Sequence, residues 1–356
     1  CNFTNNKATG DYACGGAVCF LNTGTVSNCN FVDNKATGDY ACGGAVCFYD
    51  EGSVSNCNFT DNTADYAGGA VCFLNGTVAN CNFTGNTATR YGSGAVYFLD
   101  QGTVTNCNFV NNSASTHGGA VYFYGEGNVS NCNFTGNTAT GDGGAINMGS
   151  GSVSNCNFIN NTAGKSGGAV CVDEVYNASK IDSTFIDNHA NNGGAIYFNG
   201  GISNVTISGL YKGNVAQRGG GAIFVRGKSM NNNFTADFIA NEARAASGGA
   251  VFIYNHADNN TFEGSFADNY AIYGGAMFFY GTTDKNNFTG RYINNSALGQ
   301  IDPTNGNGGA ITFKNVSTNS IFTKLAPPRH RPHKAATRSS LNTTEIMSEN
   351  STSSSD

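Results

Sequence analysis

Residues 28–48 read Asn-Cys-Asn-Phe-Val-Asp-Asn-Lys-Ala-Thr-Gly-Asp-Tyr-Ala-Cys-Gly-Gly-Ala-Val-Cys-Phe, and variants of this wording return along most of the chain. The aromatic residue recurs twelve times, as Phe3, Phe31, Phe59, Phe83, Phe109, Phe134, Phe158, Phe185, Tyr211, Phe238, Phe266 and Tyr292, at steps of 24 to 28 residues. Each copy keeps Asn three positions on and Ala five positions on, as in Asn34 and Ala36, or Asn241 and Ala243. A unit this short cannot bury a core of its own, so the copies must stack on one another.

Within a copy, apolar residues alternate in 26–31 and again in 45–48, the period of a strand with one buried face. Gly, Asn, Asp and Thr fill the gaps, with no stretch suited to a helix of ten residues. Short strands joined by turns at a fixed period describe an all-β, single-stranded solenoid of about twelve coils, a parallel β-helix. Twelve coils at ~4.8 Å make a rod roughly 55–60 Å long. A right hand is expected by analogy with parallel crossovers.

The columns then acquire physical roles. The aromatic residue and the one two places before it point inward together. That second column runs Cys1, Cys29, Cys57, Cys81, Cys107, Cys132 and Cys156, then Ser183, Gly209, Ala236, Gly264 and Gly290. A small side chain beside a large one is simple packing. The unvarying Asn is expected to form a stacked amide ladder at a bend. Gly16 and its equivalents are expected where a side chain would obstruct the backbone.

Composition narrows the function classes. Gly is abundant (49), Trp is absent, charged residues make up 12% and the net charge is −6, so no basic surface exists for nucleic acid. No apolar run reaches the ~20 residues of a membrane span. No secretion signal is visible, and Cys1 enters mid-repeat, so the chain is expected to be a piece of something longer. The repeats occupy residues 1–323; copies 1–28 and 29–56 agree at 22 of 28 positions, which points to recent duplication, and 300–307 loosens the last interval. Residues 324–356 read as a disordered Pro/Ser/Thr-rich tail whose basic cluster is a solvated linker.

The paired Phe-x-x-Asn and Gly-Gly-Ala-Val/Ile wording resembles the repeat of polymorphic outer-membrane proteins. The Asn-Cys-x-Phe-x-x-Asn-x-Ala wording of 28–36 resembles adhesin-like surface proteins of methanogenic archaea. The resemblance covers everything but the tail. It implies an extracellular, surface-displayed stalk that attaches to a host or neighbouring cell, glycans included, and it transfers no catalytic residue and no cofactor.

Thirteen cysteines show no Cys-x-x-Cys spacing, which argues against zinc. The inward column is expected to be a ladder of free thiols, Cys being a small hydrophobe. Off that column, Cys14 with Cys42, and Cys19 with Cys47 or Cys47 with Cys72, are the disulfide candidates. Seventeen Asn-x-Ser/Thr sequons occur, among them Asn58, Asn82, Asn133, Asn233 and Asn287, candidates for glycosylation in an extracellular protein.

A polysaccharide lyase or glycosidase is the rival class, and it needs converging carboxylates or a metal with a base. Asp11, Asp39 and Asp65 lie in turns, Asp173-Glu174 is an acidic pair, none faces a basic residue at the matching position of the next coil, and the five histidines are scattered. A purely structural stalk is the third reading. Attachment is favoured by the strand position expected to face outward, which reads Tyr97, Tyr122, Asn147, Cys171, Tyr197, Phe224, Phe252, Phe278, with Tyr124, Tyr254 and Tyr280 two residues further on. An exposed aromatic strip of this kind could stack on sugar rings, unless a loop covers it. The oligomeric state is not legible.

Overall fold

The computed structural model describes residues 1–174, 176–177, 180–298 and 308–323. The expected tail (324–356) and the loosened stretch 300–307 lie outside the described residues. Every regular element among them is a strand, and every strand pairing is parallel. The chain is a right-handed β-solenoid of about eleven turns.

One coil shows how the sequence makes the turns. The strand Asn58–Thr60 carries Phe59 inward; Asp61, at φ 54°, bends the chain; Asn62 follows, and the strand Thr63–Ala64 begins a second wall. A loop leads to Gly68 (φ 63°) and Gly69, then to the long strand Val71–Ala79, which closes the coil. Asn80 (φ 55°) turns the chain into Cys81 and the next Phe strand. The left-handed corner before each Cys is always Asn: Asn28, Asn56, Asn80, Asn106, Asn131 and Asn155. Among non-glycine residues Asn tolerates that conformation best, which explains the Asn-Cys wording.

The two glycines of the corner have separate duties. The first, such as Gly43 (φ 64°), takes a left-handed angle. The second leaves room for the neighbouring coil, since a Cβ on Gly44 would stand 2.1 Å from the Gly69 carbonyl oxygen. Copy four carries Ser93 in the first place, and there the left-handed angle shifts back to Gly92 (φ 62°).

Stacking in register does the rest. The strands pair identical columns, Phe31 on Phe59 and Val46 on Val71. From Phe3 to Phe185 the rings stack at 4.8 Å with interplanar angles of 2° to 5°. A second ladder, Phe20, Phe48, Phe73, Phe98 and Phe123, runs parallel at 4.8 to 4.9 Å. Each buried ring contributes about 1.5–3 kcal/mol over an exposed one.

The amide ladder forms as the sequence implies. Asn34 donates from Nδ2 to Asn62 Oδ1 at 2.9 Å, and the pattern continues through Asn86, Asn112, Asn137, Asn161, Asn188, Asn214, Asn241 and Asn269 to Asn295. Each Nδ2 also donates to the carbonyl of the aromatic residue on the preceding coil, as Asn137 does to Phe109 at 3.0 Å. The inward thiols form their ladder too. From Cys57 to Cys156 each Sγ–H donates to the carbonyl two residues back, at 3.0 to 3.1 Å, and from Cys81 to Cys156 each Sγ accepts the amide N–H of the cysteine one coil before at 3.4 Å. Hydrogen bonding to the neighbouring thiol and then burial push Cys57, Cys107 and Cys156 upward, so these thiols stay protonated.

Candidate functional site

The expected aromatic strip is not a surface. Tyr97, Tyr122, Phe224, Phe252 and Phe278 are only 4% to 8% exposed, and Tyr197 is half-buried. The residue just ahead of the Gly-Gly corner covers them. That column reads Cys14, Cys42, Ala67, Gly92, His117, Asp142, Ser166, Asn192, Gly219, Ser247 and Tyr273. The left-handed glycine folds it back over the strand position, and its reach is diagonal, onto the following coil. Cys14 bonds to Cys47, His117 Nδ1 lies 3.4 Å from Asn147 Nδ2, and a Cβ on Gly219 would stand 2.3 Å from Phe252 Cδ1. Small residues face aromatic ones in this pairing, so the variation in both columns is mutual packing.

The same geometry corrects the disulfide pairing. Cys14 is joined to Cys47, with Cα atoms 5.6 Å apart, and neither to Cys42 nor through Cys19–Cys47 or Cys47–Cys72. Cys19, Cys47 and Cys72 stack directly in register, so their side chains run parallel and do not meet. Across the corner the side chains point at each other. Cys19 is exposed and free, and Cys42 and Cys72 are free.

Of the aromatic candidates Tyr124 and Tyr254 are exposed, at 62% and 45%, and Tyr280, like Tyr197, is half-buried. Tyr254 and Tyr280 stack at 4.8 Å and 9°, and the Lys314 ammonium lies 4.3 Å from the Tyr280 ring centre. Tyr280 is thus sandwiched between the two, which leaves its edge and hydroxyl, rather than a face, to a ligand.

Of the sequons, Asn58, Asn82 and Asn133 are exposed. They belong to a second amide ladder the sequence reading did not anticipate, running Asn2, Asn30, Asn58, Asn82, Asn108, Asn133 and Asn157 at 2.8 to 2.9 Å. Asn233 donates to Glu263 at 2.8 Å and, like Asn287, is partly buried.

Carboxylates and bases also come together in ways the spacing hid. Asp39 pairs with Arg90, two coils away. Asp65 accepts from the Gly38 amide at 3.0 Å, as a turn residue does. Asp173 has a different setting. The aromatic column is interrupted at Asn147 and Cys171, and beside that gap a notch of about 220 Å³ opens, lined by Asp142, Ser166, Cys171, Asp173, Tyr197, Asn199 and Arg226. His117 Nδ1 approaches Asp142 Oδ2 at 3.7 Å, so one histidine does sit by a carboxylate. Arg226 donates to Asn199 Oδ1 at 2.9 Å on the opposite wall. Asp173 is solvent-exposed as a whole, yet the notch walls desolvate its carboxyl group and Asp142 repels it, so its pKa is raised. Among the described residues no group of three or more His, Cys, Asp or Glu side chains is arranged to hold a metal ion. The notch gathers carboxylate acceptors, guanidinium and amide donors and a half-buried tyrosine, the equipment for binding a polyhydroxyl ligand. Local spacing hides it, because its residues come from four different coils, although the repeat sets Asp173, Asn199 and Arg226 at one position of successive coils.

Residues 1–163 match the family model described as right handed beta helix region, and residues 155–173 and 182–199 match the Chlamydia polymorphic membrane protein repeat. No curated protein and no solved structure matches the chain. By these findings the chain is similar to right-handed β-helices in its first part and carries repeats of the polymorphic-membrane-protein type where that match ends.

Proposed function

We propose that the chain is the β-helical rod of a surface-displayed, adhesin-like protein, which holds glycans of a host or neighbouring cell at the Asp142–Asp173–Arg226 notch and does not cleave them. The observation that carries this reading is the interruption of the covered aromatic column at Asn147 and Cys171, beside which a polar concavity opens on an otherwise self-packed wall. Display at a cell surface is supported by the polymorphic-membrane-protein repeats. The archaeal resemblance and glycosylation of the exposed sequons Asn58, Asn82 and Asn133 belong to the same proposal.

A second reading has its own support: Asp173, with its raised pKa beside Asp142, is the kind of carboxyl group that could donate a proton to a glycosidic oxygen. One experiment separates the two. The chain is applied to a glycan array, and each bound polysaccharide is then incubated with it and analysed for new reducing or unsaturated ends. Attachment predicts retention that falls about tenfold in Arg226→Ala, the loss of one charge-assisted contact, with no new ends. New ends that vanish in Asp173→Asn would establish the enzyme instead.

A further inference from the structure

Cys14 and Cys42 occupy the same place in successive coils, one above the other, paired there through their backbones. Cys19, Cys47 and Cys72 stack in register on the facing strand. The Cys14–Cys47 bond therefore crosses diagonally, from the residue ahead of one Gly-Gly corner to the strand of the following coil. Moved up by one coil, the same diagonal starts at Cys42 and ends at Cys72. Those two residues share one apolar cluster with Cys47, Ala67, Tyr97 and Tyr122. The following step of the staircase reaches Ala67 and Tyr97, where no sulfur is present.

We propose that Cys42 and Cys72 are a redox-closed cross-link, a second diagonal disulfide that rivets the second coil to the third as Cys14–Cys47 rivets the first to the second. The bond runs along the rod axis, where hydrogen bonds and stacked rings otherwise resist the peeling of coil from coil, so its closure makes three successive coils one mechanical unit.

Closure follows from exposure. Cys42 is partly exposed and Cys72 is buried, so a small disulfide reaches Cys42 first. The hydrogen bond from Cys72 lowers the Cys42 pKa and favours the attacking thiolate. Cys42 Sγ attacks one sulfur of the reagent, forming a mixed disulfide and releasing one thiol. Cys72, losing its proton to the medium, attacks Cys42 Sγ and expels the second thiol. Two protein thiols are oxidised to one disulfide while one reagent disulfide is reduced to two thiols.

The test uses the full chain, incubated with excess glutathione disulfide, alkylated with iodoacetamide under denaturing conditions, digested without reduction and mapped by mass spectrometry. The expected result is a peptide pair joined through Cys42 and Cys72 beside the Cys14–Cys47 pair, with both residues lost from the alkylated pool. In Cys42→Ala, which introduces the residue that the next coil carries as Ala67, Cys72 should return fully to the alkylated pool while Cys14–Cys47 persists. Recovery of Cys42 and Cys72 as separate alkylated peptides after oxidation would overturn the proposal, as would a Cys42–glutathione adduct that never resolves, or Cys72 joined to another cysteine.

Discussion

Tyr211 stands where ten other copies carry Phe and the last carries Tyr292, and its hydroxyl is fully buried with no hydrogen-bond partner among the described residues. Burial, reinforced by Tyr176 and Asp182 nearby, pushes its pKa far up, so it stays neutral. A buried hydroxyl without a partner costs about 1–3 kcal/mol. Tyr211→Phe should therefore raise stability by about that amount, read as a higher denaturant midpoint at unchanged slope. Asn137 is the opposite case. Its side chain takes part in four bonds, to Asn112, Asn161 and Phe109, all at 3.0 Å. Asn137→Ala strands the amide of Asn112 and the carbonyl of Phe109 and should cost about 3–5 kcal/mol, with hydrogen exchange accelerating first at those coils. The notch gives a pH signature. Because the folded state holds the Asp173 proton above the ordinary carboxylate range, it binds more protons than the unfolded chain in that window. Asp173 thus makes stability fall as pH rises from its unfolded pKa through its folded one. In Asp173→Asn that fall should flatten in chemical denaturation measured across the window.

The Gly-Gly corner is the element on which the account turns. It lays one variable column over another, offset by a coil, and at Gly219 an added Cβ would stand 2.3 Å from Phe252 Cδ1. Gly219→Ala should cost about 1–3 kcal/mol by overpacking and Phe252→Ala about 3–5 by leaving a cavity. The double variant should recover at least about 1 kcal/mol of the sum, because each change relieves the other. Additive losses would mean that the two residues do not meet. The corner also shows what could be read from the sequence. The inward Phe, Asn and Cys columns were legible because each residue stacks on its own copy, so constancy along the column reports the contact. The diagonal pairing leaves no such trace: Cys14 meets Cys47 and His117 meets Asn147, partners drawn from two different columns and two different coils. The left-handed glycine hides it further, since strand alternation alone predicts that Tyr97 and Phe252 face solvent. The exposed Asn ladder was concealed by its sequon spelling, which suggested modification before stacking.

At the scale of the molecule, the repeats build a rod whose variation is mostly turned inward, and the notch of Asp142, Asp173 and Arg226 falls where the aromatic column lapses. That arrangement suits a surface that presents and holds better than one that turns over substrate. Replacing Phe224 and Phe252 with Ser should loosen the rod itself, detectable as earlier thermal unfolding, and so cannot report on attachment. Arg226 is exposed and can be changed without touching the core. The most direct measurement is retention on a glycan array by the wild-type chain and by Arg226→Ala, with circular dichroism confirming that both keep their strands. The account predicts glycan retention by the wild type that drops about tenfold in the variant, with every retained polysaccharide left intact. Equal retention by the two chains, or polysaccharide cut by the wild type, would contradict it.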